Sequence, residues 1–344
     1  MKSNFITGSF QIGETTLNQV SSKLDLSDYL GSIMVRWGIN RNNYRVDPGL
    51  YSVGLPDESS DVFVSANYKL SFDHLRKNLS GINGWIIVLD TKGVNVWCAA
   101  GKGTFGTAEL NKRIKMASLD RIVKHKRIIL PQLGATGVAA HKVKEDTGFN
   151  VRYGPVRADD LKEFLEADYK ATKNMRKVTF GFWDRIKLIP NDFVQGKYYL
   201  LGALLVIFLL SAINNKEISL RNSMNFGMAR MLNVFLAYFS GIVITPALLP
   251  YIPFRSFSLK GFLSGLIVTL IMFLLNLTGN SILENIAWFL IIPSISSFMA
   301  MNFTGSSPYT SLSGVKKEMK TAVPLQIIFL SAGLISFILG LLIK

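Results

Sequence analysis

The chain has 344 residues, a formal net charge of +15, 49% hydrophobic residues and a single cysteine. One thiol excludes an internal disulfide, and it excludes a zinc or iron–sulfur centre built from this chain's thiolates alone, because such sites usually need three or four ligands. The apolar residues are spread unevenly, which predicts two parts of different character: up to residue 197 there are 29 Lys and Arg against 20 Asp and Glu, and beyond it 9 against 3.

Residues 1–60 show little periodicity, and RNNYRVDPGLYSVGLP reads as an extended lead-in that wraps the following domain. The first forty residues lack the basic, apolar and small-residue succession of a signal peptide. The N-terminal part is therefore expected on the cytoplasmic, reducing side.

From 61 to 171 strand-like and helix-like runs alternate: DVFVSA then SFDHLRKNL, WIIVLD with VNVW then TAELNKRIKMASL, RIIL then GVAAHKVKED, FNVRY then RADDLKEFLEAD. That rhythm predicts an α/β, Rossmann-like domain with a largely parallel sheet. Leu110, Ile114 and Ala117 fall on one helical face, as do Leu161, Phe164 and Leu165, and these faces are expected to pack on the sheet. Ligands of such folds bind beyond the carboxyl ends of the strands. The loops of interest are therefore SANYK, WCAAGKGTFG, PQLGATG and YGPVR.

The second of these holds Cys98 and, at 101–106, GKGTFG, which matches G-x-G-x-x-G between a strand and a helix. A dinucleotide site is one reading, but the next strand, RIILPQL, ends without the acidic residue that would hold a ribose. A P-loop fails because Lys102 is followed by Gly103 and Val96 stands where the first glycine belongs. Cys98 itself has three readings. Free cysteines are commonly buried as small hydrophobes. A nucleophile needs a base, and His74, His125 and His141 form no recognisable motif with it. At a glycine-rich helix start, backbone donors and the helix dipole favour the thiolate, which suits a soft metal ligand.

Residues 172–197 read as a linker ending in an amphipathic FWDRIKLIP segment at a membrane surface. Apolar runs at 198–213, 231–250, 262–277, 282–303 and 323–343 then predict an all-α membrane domain of five transmembrane helices over 198–344. With the N-terminus inside, Arg185, Lys187, Lys197, Arg255, Lys260, Lys316, Lys317 and Lys320 fall on the cytoplasmic side, against Lys216, Arg221, Arg230 and Lys344 outside. That imbalance predicts a multi-pass protein of the inner, cytoplasmic membrane with its soluble domain in the cytoplasm. Attraction to anionic membrane lipid accounts for the basic charge, and no nucleic acid is needed. The polar loop at 305–320 is expected on the same side, as a connector or a lid. Glu284, the one acid near the spans, is expected at an outer edge and gives little support to a carrier function.

NVWCAAGK and the GTFGT after it closely resemble the cap-helix motif of the mercury-methylating corrinoid protein family, HgcA. The resemblance extends through YRVDPGLYSVGLP, VSANYKLSFDHLR, WIIVLDTKG, LPQLGATGVAAHKV and YGPVRADDL, and on to NFTGSSPYTSLSGV in the membrane domain. It implies a cobalamin-type corrinoid cofactor, with Cys98 as lower axial ligand to cobalt and the residue on which catalysis rests. Asn95, Val96, Trp97, Ala99, Ala100, Gly101 and Lys102 would shape that face, and Ser65, Asn67, Gly134, Gly137, Gly154 and Arg157 would meet the cofactor from the neighbouring loops. Ser65 stands where the family more often has threonine, and Thr136 replaces a frequent proline.

The implied activity is methyl transfer from cobalt to Hg(II) in anaerobic one-carbon metabolism. The implied partners are a ferredoxin-like iron–sulfur protein as electron donor, and methyltetrahydrofolate as methyl donor through a methyltransferase. The related large subunit of the corrinoid iron–sulfur protein carries its own cluster, whose cysteines this chain lacks. Alternatives are a corrinoid methyl carrier of acetyl-CoA metabolism with another acceptor, and a nucleotide-binding membrane oxidoreductase.

Overall fold

The computed structural model describes residues 5–12, 15–214, 217–310 and 312–343. Two compact units share them: Met1–Val35 with Ile39–Val178, and Thr179–Lys344 with Arg36–Gly38.

In the first unit the chain runs β1 (Ile6–Ile12), β2 (Thr15–Val20), α1 (Leu26–Arg36), β3 (Gly49–Val53), β4 (Asp61–Ala66), α2 (Lys69–Asn78) and β5 (Gly84–Leu89). It continues through α3 (Val96–Lys102), α4 (Thr107–Met116), α5 (Leu119–Ile122), β6 (Arg127–Leu130), α6 (Ala140–Thr147), β7 (Asn150–Tyr153) and α7 (Leu161–Glu166). The strands form one sheet in the order β1-β2-β3-β5-β4-β6-β7. Its β5-β4-β6-β7 part is wholly parallel, whereas β1 pairs antiparallel with β2, and β3 with β5.

Side chains alternate across a strand, so a sheet covered on both faces reads as a continuous apolar run. Trp85, Ile87 and Leu89 of β5 join one core with Leu110 and Ile114 of α4, while Ile86 and Val88 join the other with Phe72 of α2 and Phe164 of α7. The expected helix faces are therefore the ones buried. Because α2 lies on one face and α3 to α6 on the other, chain leaving β4 and chain leaving β6 turn to opposite sides. The carboxyl ends of two such strands are where open α/β sheets bind ligands.

Two sequence expectations change here. VNVW is not strand: Val94 lies in a loop, Asn95 caps α3, and Val96 and Trp97 begin that helix. The lead-in of 1–60 is not merely extended chain, since it supplies β1, β2, β3 and α1 to the same domain. A buried charge network locks it there. Arg76, fully buried, donates to the carbonyls of Ser21 (2.7 Å) and Lys23 (3.0 Å) and pairs with Asp28 (2.6 Å) and Asp73 (2.8 Å). Lys69 bridges the same two carboxylates.

Burial alone would raise the Asp28 carboxyl, but hydrogen bonds from Lys69 and Arg76 outweigh it and hold the group below its ordinary range. A lowered carboxylate stabilises the fold above its unfolded pKa of ~3.9, and that contribution is lost as pH falls through the folded value. Asp28→Asn is expected to cost about 2 kcal/mol at neutral pH and to flatten the acid limb of stability. Thermal midpoints measured down through pH 4 check both; parallel acid limbs for the two proteins would refute the assignment.

The second unit holds α8 (Phe182–Ile186), α9 (Ile189–Gln195), α10 (Lys197–Leu210), the short pair β8 (Ile213–Asn214) and β9 (Glu217–Ile218), and α11 (Leu220–Phe239). A π-helical turn at Ser240–Ile244 leads to α12 (Thr245–Ala247), followed by α13 (Phe257–Leu274), α14 (Ile282–Asn302) and α15 (Leu312–Leu342). Among the described residues four helices are long and apolar enough to cross a membrane: Leu220–Ala247, Phe257–Leu274, Ile282–Gly305 and Ser313–Leu342. The expected first span is shorter. α10 has 14 residues, a rise of ~21 Å against the ~30 Å of a hydrocarbon core, and reaches a fifth span only together with α8 and α9, from which it bends by 57°.

Small residues let α13 and α14 approach closely. A Cβ at Gly261 would lie 2.5 Å from that of Ala300, and one at Gly265 would lie 2.7 Å from Pro293 Cα. Ser296 donates across the seam to the Gly261 carbonyl at 2.7 Å.

Three further expectations change in this unit. The linker of 172–197 gives way at Thr179, where the helical unit begins; Arg185 is buried and donates to the carbonyls of Phe180 and Ala247. The polar loop of 305–320 is mostly helix, because α15 starts at Leu312 and takes in Lys316, Lys317 and Lys320. Arg230 is not in a loop: it is buried on α11 and paired with Glu284, itself buried in the first turn of α14. Lys216 and Lys344 lie outside the described residues.

Candidate functional site

The loop leaving β5 is held from behind by Asn67, which follows β4. Asn67 is buried, and its Oδ1 accepts from the amides of Thr91 (3.1 Å) and Gly93 (2.9 Å) and from the Thr91 hydroxyl. Lys92 and Gly93 take positive φ, so the loop reverses tightly and delivers Asn95 as the helix cap. The Asn95 side chain accepts from the Cys98 amide at 2.9 Å, satisfying one of the orphan donors of a helix start. α3 ends at Gly103, whose φ of 80° suits a residue without Cβ.

These caps fix which way the seven-residue helix faces. Ala99 and Ala100 are buried against the core, and Val96 is partly buried. Trp97, Cys98, Gly101 and Lys102 form the opposite, exposed face. Trp97 is 46% exposed, so the indole is not a core side chain. Gly101 has nothing within 4 Å of where a Cβ would stand, which leaves a flat, clear patch one helical turn from the Cys98 thiol. The thiol is exposed. Of the three readings of Cys98, burial as a small hydrophobe is therefore overturned.

The loop after β6 closes on this helix. A Cβ at Gly137 would fall 2.1 Å from the Phe105 carbonyl and 3.0 Å from Ala100 Cα, and one at Gly134 would fall 2.5 Å from the Phe105 ring. Thr107 clamps the same contact, its amide donating to the Gly137 carbonyl and its hydroxyl accepting from the Ala139 amide. Phe105, Thr91 and Thr107 are positioning residues that the sequence reading missed; only the fixed turn chemistry around Asp90–Gly93 hinted at one of them. Ser65 is buried beneath the site and donates to the Ala66 carbonyl. Gly154 and Arg157 stand one strand further along, joined to the β6 loop where the Gln132 amide donates to the Pro155 carbonyl.

GKGTFG does not link a strand to a helix. Gly101 lies in the last turn of α3, Gly103 caps it, and Gly106 caps α4. The Thr107 amide at the start of α4 is already taken by Gly137, in the place a pyrophosphate would occupy. The dinucleotide reading loses its geometric basis. The nucleophile reading fares no better: His74 and His141 are exposed, and His125 engages the Ser60 carbonyl and the Arg127 amide.

A metal at Cys98 would have a single protein ligand, because no group of three His, Cys, Asp or Glu able to hold an ion occurs among the described residues. That donor set fits a metal that brings its other ligands with it, as a corrinoid does. The clear patch at Gly101 fits a flat macrocycle, and the buried Gln132 Oε1, without a hydrogen-bond partner among the described residues, fits the amide N–H groups on a corrinoid's rim.

Crowding separates two of the site's glycines. Gly137→Ala is expected to destabilise by ~1–3 kcal/mol, since backbone must move to admit the methyl. Gly101→Ala is expected to gain ~0.5–1 kcal/mol from helix propensity while obstructing the face beside Cys98. Thermal unfolding of both variants and their corrinoid affinity check this; equal stability for the two would show that Gly137 is not a close-approach position.

Residues 30–165 match the family model described as CO dehydrogenase/acetyl-CoA synthase delta subunit. Among curated proteins, the acetyl-CoA decarbonylase/synthase complex subunit gamma of Archaeoglobus fulgidus is 28% identical over 131 residues, covering 38% of this chain and 27% of that protein. Its counterpart from Methanopyrus kandleri is 31% identical over 130 residues, or 37% of this chain and 28% of the relative. The corrinoid/iron-sulfur protein large subunit of Moorella thermoacetica is 31% identical over 126 residues, 36% of this chain and 28% of its own length. The chain thus spans little more than a quarter of the length of these relatives, and the stretch matched by the family model, residues 30–165, takes in the part of the sheet domain that carries Cys98.

Proposed function

We propose that this chain is a membrane-anchored, corrinoid-dependent methyltransferase that passes a methyl group from cobalt to Hg(II), forming methylmercury. The observation that carries the reading is the exposed face of α3, where one capped helix presents a lone thiol, an exposed indole and a side-chain-free patch at the ligand-binding edge of the sheet. A bound corrinoid would supply a transferable methyl group on its cobalt. Cys98 would be the residue that ligates that metal and Trp97 and Gly101 would shape the surface around it, while Asn67, Asn95, Gly134 and Gly137 hold that surface in place. A thiolate ligand would make the metal electron-rich, which suits delivery of a methyl group to an electron-poor acceptor such as Hg(II).

The chain's one cysteine cannot hold an iron–sulfur cluster, so electrons come from a separate ferredoxin-like protein. The methyl donor is methyltetrahydrofolate, through a methyltransferase.

We place the protein in the cytoplasmic membrane with the sheet domain in the cytoplasm. With Arg230 removed from the outer count, eight basic residues face three. This arrangement needs α10 to cross, because four crossings would put Arg255, Lys260, Lys316, Lys317 and Lys320 outside, against the usual bias.

The relatives' names support a second reading, a corrinoid methyl carrier with another acceptor in acetyl-CoA synthesis. Anoxically purified, methyl-loaded protein given thiol-chelated Hg(II) separates the two. Methylmercury at one equivalent per corrinoid supports the first, and a methyl group that stays on the protein until an acetyl-CoA synthase is added supports the second.

A further inference from the structure

Helix α1 carries a face that the rest of its unit does not cover. Leu26, Tyr29, Leu30, Ile33 and Met34 of α1, and Trp37 just beyond its end, recur at three- and four-residue spacing, and all six are exposed. The opposite face is anchored: Val35 is buried and Asp28 is held by Lys69 and Arg76. The helix is therefore fixed with its apolar side outward. Isolated exposed apolar residues are ordinary, but a contiguous stripe of this kind marks an interaction surface.

From these observations we infer that the α1 stripe is an interfacial membrane contact that lays the sheet domain against the lipid headgroups; this rests on the membrane-anchored reading above. Two features point to lipid. Tyr29 and Trp37 are the residue types that favour the headgroup level. Apart from the buried Asp28, the charged residues from Lys23 to Arg45 are four basic and one acidic, which complements anionic lipid. An amphipathic helix with an aromatic-containing apolar face and basic flanks lies in the interface plane instead of crossing it.

The test uses the full chain with Cys98→Ser, reconstituted into nanodiscs of mixed neutral and anionic phospholipid, with a nitroxide on one introduced cysteine at a time: Ile33→Cys in the stripe, Lys112→Cys on exposed α4, or Leu270→Cys in α13. Collision with oxygen, which concentrates in lipid, is compared with collision with a water-soluble nickel chelate. The expected oxygen-to-nickel ratio at 33 is several-fold above that at 112 and approaches that at 270. A high ratio at 270 with free nickel access at 33 overturns the α1 inference alone. Protection from both reagents at 33 also overturns it, because a protein partner or a second copy then covers the stripe. Free nickel access at 270 overturns the membrane reading itself.

Discussion

Cys98→Ala is expected to shift the absorption bands of the corrinoid-loaded protein and to lower methylmercury formation by ~100-fold or more. Loss of a residue that merely orients a metal ligand typically costs 10–100-fold, and Cys98 is placed here as the ligand itself. The substitution leaves the scaffold intact, since the thiol is exposed and the Asn95 cap engages the backbone amide at 98, which alanine retains. A fall in activity therefore reports on ligation and not on folding, and an unchanged thermal midpoint is part of the expected result. Cys98→His adds a second arm: an imidazole offers a neutral nitrogen where the thiolate offered a soft, electron-rich sulfur. That variant is expected to hold corrinoid with an altered spectrum and to remain poor in methyl transfer. If Cys98→Ala leaves both spectrum and methyl transfer as they were, the thiol is not the ligand.

Most of the sheet domain was legible because its strands are buried on both faces and stand out as unbroken apolar runs, as in WIIVL and RIIL. VNVW misled because alternating β-branched residues imitate a strand, whereas the Asn95 side chain, accepting one hydrogen bond from the Cys98 amide, starts a helix there. The lead-in hid its strands for a different reason. β3 finds its partners in β2 and β5, far apart in sequence, and Arg76 reaches back to Ser21 and Lys23; no local pattern encodes either.

The site divides in the same way. Cys98 and the glycines were visible as residues, but the sequence could not tell which glycine leaves space and which fills it. The structure separates Gly101, with open surroundings, from Gly137, pressed on backbone. The sequence reading gave Asn67 to the cofactor; in the structure it is buried and braces the loop that carries the cap.

In the helical unit, hydropathy located the long helices yet left Arg230 in a loop and its pairing with Glu284 unseen, because a window average is blind to pairing. Arg230 and Glu284 are 6% and 2% exposed, and the arginine also lies over the rings of Phe226 and Phe337. Removing one partner strands the other charge in a low-dielectric interior. Arg230→Leu or Glu284→Leu is thus expected to cost ~3–5 kcal/mol, while the double replacement recovers most of that loss. The asymmetry follows from desolvation, which a paired ion has already met and an orphaned ion meets alone. The measurement is thermal or denaturant unfolding of the detergent-solubilised chain, with Glu284→Gln as a milder variant that keeps the shape and removes the charge. Additive losses in the double variant would mean that the two side chains stabilise the bundle separately, and that the pair does not join α11 to α14.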